Sequence, residues 1–181
     1  DIELSKSLSN YVDLKVVSEP KSYQLSLQSH DLGGLYAHSA GIKFSPRFVL
    51  INELNERLYL RQGSIDIFQT SEMEHEGILE ANEKSHPFHW PRSNATKQLC
   101  VRFGTSGSLW SGFFPLNVTE DFDLLMKRAD ANGTISQYIL RVNIRQQGAK
   151  VLIKFRPEDL KYAPYFIKNE TLDVRIEFQQ S

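Results

Sequence analysis

The chain repeats part of its own sequence, and this internal repeat is the strongest constraint on its fold. The run Pro-Arg-Phe-Val-Leu-Ile-Asn-Glu at residues 46–53 returns as Pro-Tyr-Phe-Ile-Lys-Asn-Glu at 164–170, so that Asn52 and Asn169 occupy matching places 117 residues apart. Each asparagine is followed ten residues later by a glutamine. The repeat is longer than a solenoid unit and has the size of a small domain. The chain therefore has the pattern of a section from a tandem array.

Two further segments match upstream in the same order: residues 23–27 parallel residues 138–142, and residues 8–16 parallel residues 110–118. The register of the matches divides the chain into three parts, which are the end of one repeat at residues 1–44, a complete repeat at 45–162 and the start of a third at 163–181. Partial repeats must still complete their sheets. We therefore expect the folded unit to be offset from the sequence repeat, with strands of one repeat completing a sheet of its neighbour.

Apolar and polar residues alternate along most of the chain, which is the period of a β-strand. The alternation is clearest in three segments, at residues 138–145, 151–156 and 174–178. The pair Asn132-Gly133 and the connection at residues 146–149 predict hairpin turns. The apolar run at 48–51 is typical of a strand covered on both faces. We predict an all-β protein of antiparallel sheets packed as sandwiches, with residues 72–83 in a loop.

Composition excludes several classes of function. The net charge of −1 and the pI of about 6.6 leave no basic surface for nucleic acid. No apolar run approaches the ~20 residues that a membrane-spanning helix needs, so we expect no direct membrane insertion. Cys100 is the single cysteine, which rules out an internal disulfide. Because its surroundings indicate a strand, we predict a buried thiol and a reducing, cytoplasmic environment.

An extracellular β-sandwich interaction module with N-linked glycans remains the alternative. The chain contains four matches to the glycosylation acceptor pattern, at Asn94, Asn117, Asn132 and Asn169.

The cluster His86-Pro87-Phe88-His89-Trp90 is the most conspicuous candidate for a metal site. On a strand the two histidines point to opposite faces, so the spacing favours an aromatic strand in which Phe88 and Trp90 pack inward. Nucleophile and phosphate-binding motifs are both missing from the sequence. We therefore predict a protein that is not an enzyme and that has no cofactor and no metal.

The repeated Asn52 and Asn169 each end an apolar strand before a turn. An asparagine there can shape the turn through hydrogen bonds to the backbone two residues on. It can also contact a partner directly, and the two roles are compatible if the turn lies beside an exposed strand edge.

Six segments in succession carry a family resemblance; they are residues 45–52, 58–62, 87–90, 98–102, 110–112 and 163–169. Their order and spacing resemble the adaptor-binding region, also described as a SHORT-ROOT-binding-type domain, of the vacuolar protein sorting-associated protein thirteen family. The resemblance covers nearly the whole chain and places it at about the fifth of six β-rich repeats, with parts of the neighbouring repeats. Each repeat of that family has a characteristic asparagine, and Asn52 and Asn169 correspond to it.

The resemblance implies a function. Members are bridge-like lipid-transfer proteins at membrane contact sites, with lipid carried by other parts of the protein. The region docks Pro-x-Pro-containing segments of organelle adaptor proteins, which implies a cytoplasmic, peripheral location. Since six full repeats are not present here, docking can also depend on missing portions.

A proline-rich segment is extended in advance and can add to an exposed strand edge. We expect the edge at residues 174–179 to receive it, with aromatic side chains holding a proline ring. The predicted partner-binding residues are Asn52, Asn169, Tyr165, Phe166, Val174, Ile176 and Phe178.

Overall fold

The computed structural model describes residues 11–15, 21–36, 38–63, 77–92 and 96–158. These segments form twelve strands and one turn of 3-10 helix, at Gly34–Tyr36. The strands are β1 (Tyr11–Lys15), β2 (Ser22–Asp31), β3 (Ala40–Pro46), β4 (Phe48–Asn52), β5 (Leu58–Gln62), β6 (Gly77–Leu79), β7 (His86–Phe88), β8 (Gln98–Phe103), β9 (Phe114–Pro115), β10 (Asp121–Ala129), β11 (Ile135–Gln147) and β12 (Lys150–Pro157).

Two of the three sheets enclose one hydrophobic core. A five-stranded sheet has the order β10-β11-β12-β4-β7, and a four-stranded sheet has the order β6-β5-β8-β9. Alternate side chains of both sheets form a single buried cluster, which includes Leu50, Leu60, Val101 and Phe155. This packing of two sheets over a shared core is a β-sandwich. The predicted all-β sandwich is confirmed, and its strands lie within residues 45–162.

One strand pairing departs from the antiparallel pattern. β4 lies between β12 and β7 and pairs with β12 in parallel, with Leu50 beside Ile153 and Asn52 beside Phe155. A parallel pair needs a long crossover connection. Here the residues between β4 and β12 supply the entire four-stranded sheet as well as β7, β10 and β11. The parallel pair therefore ties the beginning of the sandwich to its end.

The hairpins predicted from turn residues are confirmed. β10 and β11 are joined through Asn132-Gly133, where Gly133 has a φ of 79°, and β11 and β12 are joined through Gly148, with a φ of 62°. Positive φ is sterically easy only for glycine. The prediction of a loop at 72–83 is wrong for Gly77–Leu79, which forms β6 beside β5. Leu79 is fully buried there, and that tertiary contact overrides the polar local sequence.

The side chains of the aromatic cluster and the cysteine lie where the sequence predicts. Phe88 and Trp90 are buried and meet edge to face, with ring centroids 5.1 Å apart. His86 instead contacts Glu83 through Nδ1 at 3.0 Å. Cys100 is buried in β8.

The third sheet has the order β1-β2-β3, and several polar contacts join it to the sandwich. The backbone of Ser22 donates to the carbonyl of Trp90 at 3.0 Å, and Lys97 contacts the carboxylate of Asp13 at 3.3 Å. Burial alone raises the pKa of Asp13, but hydrogen bonds from Ser22, Gln24 and Lys97 outweigh it and hold that pKa below its ordinary value. The carboxylate thus stays charged where the two parts meet.

Gly107 is expected to tolerate no side chain. It has a φ of 76°, and a Cβ there would lie 2.0 Å from the carbonyl oxygen of Ala129. The carbonyl of Gly107 also accepts a hydrogen bond from the backbone N–H of Ala129. We expect Gly107→Ala to lower the free energy of unfolding by about 3 kcal/mol, since it combines a left-handed backbone with a clash against main chain. In Gly133→Ala, where no atom lies within 4 Å, the loss is expected to be about 1 kcal/mol. Urea denaturation of both variants measures the difference, and equal losses would contradict this account.

Candidate functional site

Asn52 ends β4 and shapes the loop that follows it. Its side-chain oxygen accepts a hydrogen bond from the backbone of Leu54 at 3.0 Å, which is the turn geometry expected of asparagine. Its Nδ2 donates to the carbonyl of Glu56 at 2.9 Å. The residue is only 1% exposed, so both amide groups are used inside the protein. The side chain therefore acts as the internal support of the loop at residues 53–56, called here the Asn52 loop.

The same amide also holds a second turn, at residues 80–83. Nδ2 of Asn52 donates to the carbonyl of Glu80 at 2.8 Å, and the Asn52 backbone donates to the carbonyl of Glu83 at 2.8 Å. Asn82 has a φ of 57° and donates its backbone N–H to Leu54. One buried asparagine thus joins two loops that are distant in sequence.

Gln62, which follows Asn52 by ten residues, also holds loop backbone through its side-chain amide, at the end of β5. Gln62 is 1% exposed and donates through Nε2 to the carbonyls of Arg92 and Thr96, at 2.9 and 3.1 Å. Its Oε1 accepts from the backbone of Arg92 at 2.9 Å. Asn52 and Gln62 are therefore a pair of buried amides, and each fastens loops to the end of a core strand.

A groove of about 310 Å³ lies beside the Asn52 loop. It is lined by the loop itself, by residues 138–140 of β11, and by Phe103 and Pro157. Tyr138 and Ile139 are each 42% exposed, while Phe103 is buried and meets Tyr138 edge to face at 5.9 Å. The lining thus combines an aromatic pair with a proline and aliphatic side chains.

The charged residues at the groove are already paired. The carboxylate of Glu56 accepts from Nη2 of Arg128 at 2.7 Å, and Glu53 contacts Nζ of Lys154 at 3.1 Å. The Arg128 guanidinium also lies over the rings of Phe103 and Tyr138, 5.0 and 5.2 Å from their centroids. The groove therefore presents little uncompensated charge to a ligand.

Next to the groove, one edge of β11 has no pairing strand among the described residues. Residues 135–138 pair with β10 on one side, whereas pairing with β12 on the other side begins only at Leu140 and Pro157. Among the residues that the structure describes, no strand pairs with that second side. Such an edge presents backbone donors and acceptors to an added strand.

Of the seven residues predicted to contact a partner, only Asn52 belongs to the described segments. The other six lie at 165–178, outside them. The groove residues Tyr138, Phe103 and Pro157 were not predicted from the sequence. The available signal was that Tyr138 lies within a segment that repeats residues 23–27. The sequence alone does not show that β11 extends beyond the end of β12.

Comparison with known proteins identifies the family. The family described as "Vacuolar-sorting associated protein 13, adaptor binding domain" matches residues 7–181, which is nearly the entire chain. This chain belongs to that family. The resemblance drawn from the six short segments is thereby confirmed. In this chain of the family, a buried asparagine, Asn52, holds a loop that lines a groove.

Several similar proteins are described as intermembrane lipid transfer proteins. The chain is 29% identical to intermembrane lipid transfer protein VPS13D of Homo sapiens over 148 residues, which cover 81% of this chain and 3% of the relative. It is 27% identical to vps13D of Dictyostelium discoideum over 124 residues, covering 68% and 2%. It is 25% identical to VPS13 of Chaetomium thermophilum over 147 residues, covering 81% and 4%. The chain therefore spans a few per cent of the length of these relatives.

Within the described segments, no helix has the length and apolar character required to cross a membrane.

Proposed function

We propose that this chain is a non-catalytic docking module through which a bridge-like lipid-transfer protein is recruited to organelle membrane contact sites. In this proposal the partner is an adaptor protein, and the docked element is an extended segment that contains Pro-x-Pro. The observation that carries the proposal is the groove beside the Asn52 loop, in a chain of the adaptor binding domain family.

The geometry suits an added strand. An extended segment placed along residues 135–138 would complete backbone hydrogen bonds that β11 leaves open on that side. Proline has no N–H to donate. In an extended segment, prolines at alternate positions therefore leave backbone N–H donors on only one side of the segment. The exposed ring of Tyr138 offers an apolar surface against which a proline ring can pack.

Asn52 supports this site from below without contacting the ligand. Its side-chain amide forms hydrogen bonds with the loop and with Glu80, so the role of Asn52 is to fix the position of residues 53–56. The residues Asn169, Tyr165, Phe166, Val174, Ile176 and Phe178 remain proposed contributors to docking.

A binding titration tests the proposal. Fluorescent twelve-residue peptides with a Pro-x-Pro motif are titrated with the chain, beside matched peptides in which both prolines are alanine. We expect binding only of the Pro-x-Pro peptides, and at least a tenfold loss of affinity in Tyr138→Ala, on the order of a hot-spot contact. Phe113→Ala is the matched control, since Phe113 is 37% exposed and does not line the groove.

Two results would count against it. Absence of binding to every Pro-x-Pro peptide by the folded chain removes the docking function. Binding that survives Tyr138→Ala and is lost in Tyr165→Ala keeps the function but moves the site to the 165–178 segment.

A further inference from the structure

A second cavity, of about 330 Å³, lies where the sheet β1-β2-β3 meets the sandwich. Strands β1 and β2 contribute Tyr11, Asp13 and Gln24 to its lining, and the chain after β3 contributes Arg47, Trp90 and Lys97. The cavity shares no lining residue with the groove beside the Asn52 loop. Its volume is at the lower end of the ~300–1,000 Å³ that is typical of ligand pockets. The cavity is therefore a separate candidate site for a small group.

Two donors in this lining are buried and have no hydrogen-bond partner. One is the indole Nε1 of Trp90, on a side chain that is only 1% exposed, and the other is Nε of Arg47. A buried donor without an acceptor is unfavourable, and nearly all buried polar groups in proteins are hydrogen-bonded. Two such donors at one cavity indicate that a ligand supplies the acceptor.

The guanidinium of Arg47 is fixed by ring stacking and by its backbone. It lies over the ring of Tyr11, 3.3 Å from the centroid, and 5.3 Å from the centroid of Phe48. The backbone N–H of Arg47 donates to the carbonyl of Gln24 at 2.9 Å, and its carbonyl accepts from Val151 at 2.7 Å. The planar fork of a positioned arginine matches the two oxygens of a carboxylate or phosphate. The ligand that fits here therefore carries an oxyanion.

The charges of the lining favour an anion with a single charge. Arg47 and Lys97 are two cations beside one carboxylate, that of Asp13. The pKa of Asp13 lies below its ordinary value, so this carboxylate is charged. It already accepts hydrogen bonds from Ser22, Gln24 and Lys97. A monoanion would leave the lining neutral, whereas a doubly charged phosphate would be repelled by the carboxylate.

We propose that this cavity binds a single carboxylate group on an apolar body, with Arg47 and Trp90 as its hydrogen-bond donors. The rings of Tyr11 and Phe48 supply apolar contacts for the body of the ligand. Because the lining comes from both β1-β2-β3 and the sandwich, the bound ligand holds the two parts together. A free small molecule and an acidic side chain of a peptide both supply this chemistry, and the experiment distinguishes them. The inference is independent of the docking groove.

A heteronuclear NMR titration of the whole chain tests the proposal at constant ionic strength. The probes are sodium benzoate, its uncharged counterpart benzamide, inorganic phosphate, and a capped tripeptide with one central glutamate. The chain has two tryptophans, and a Trp110→Phe variant assigns their indole signals. We expect benzoate to shift the indole N–H signal of Trp90, and benzamide to leave it unchanged. A larger shift with the tripeptide than with benzoate at equal concentration assigns the carboxylate to a peptide side chain, and a smaller one assigns it to a free molecule.

Arg47→Gln is expected to weaken benzoate binding by at least about tenfold, since it removes a charge-assisted hydrogen bond. Arg156→Gln is the matched control, because it removes the same charge from an exposed position on β12 that does not line the cavity. The amide spectrum of each variant shows whether it is folded. If Arg47→Gln unfolds, the comparison of benzoate with benzamide in the wild type still decides.

Three results would overturn the inference. The first is a Trp90 signal that responds to neither benzoate nor the tripeptide. The second is an equal response to benzoate and phosphate, which would mean an adventitious ion only. The third is benzoate binding of undiminished affinity in a folded Arg47→Gln variant.

Discussion

Replacement of Asn52 by alanine is expected to lower the free energy of unfolding by about 3–5 kcal/mol. The substitution removes one acceptor and one donor group, on a side chain that is 1% exposed, which together bond three backbone partners, on Leu54, Glu56 and Glu80. Each partner left without a hydrogen bond in a buried site costs about 1–3 kcal/mol, and the three are not additive because they share one side chain. Urea denaturation followed by tryptophan fluorescence measures the loss.

Asn55→Ala is the control for that measurement. Asn55 lies in the same loop but is exposed, and its side-chain oxygen accepts a hydrogen bond from Nδ2 of Asn82 at 3.3 Å. We expect Asn55→Ala to stay within about 0.5 kcal/mol of the wild type. A loss below about 1 kcal/mol in Asn52→Ala would show that the two loops are held by other contacts.

The buried position of Asn52 also separates its two candidate roles. If it acts only by holding the loops, hydrogen exchange should accelerate at residues 53–56 and 80–83 in the Asn52→Ala variant, and peptide affinity should fall together with that loosening. A loss of affinity with unchanged exchange in both loops would instead mean direct contact with the partner.

Local features of the fold were predictable because local residues determine them. The Asn132-Gly133 and Gly148 turns supply the backbone angles that their hairpins require, and the alternation in β11 and β12 gives the core face. The turn-forming role of Asn52 belongs to the same class, since its bond to Leu54 spans two residues.

The remaining features depend on contacts between distant segments. The hydrogen bond from Asn52 to Glu80 joins residues 28 positions apart, and no local sequence pattern predicts it. The parallel pairing of β4 with β12 joins strands about a hundred residues apart, which the alternation cannot indicate. The groove exists because β11 outruns β12, and strand ends are the least predictable part of a sequence-based assignment.

Replacement of Phe155 by alanine is expected to destabilise the chain by about 3–5 kcal/mol, because a fully buried aromatic ring is lost from the core. The ring meets Phe114 of the opposite sheet with centroids 6.3 Å apart, so the cavity would open between the two sheets. Denaturation midpoints in urea give the value.

Phe44→Ala is the sharpest control. Phe44 lies in the run Ile-Lys-Phe-Ser-Pro on β3, the third strand of β1-β2-β3, and Phe155 lies in the run Ile-Lys-Phe-Arg-Pro on β12, the third strand of β10-β11-β12. Phe44 is 56% exposed, and its removal is expected to change the free energy of unfolding by less than about 1 kcal/mol. Because the two local sequences are similar, the difference between the two variants measures how much burial in the sandwich core adds to one phenylalanine. Equal losses would mean that Phe44 is already packed as tightly as Phe155, and the control would contradict this account.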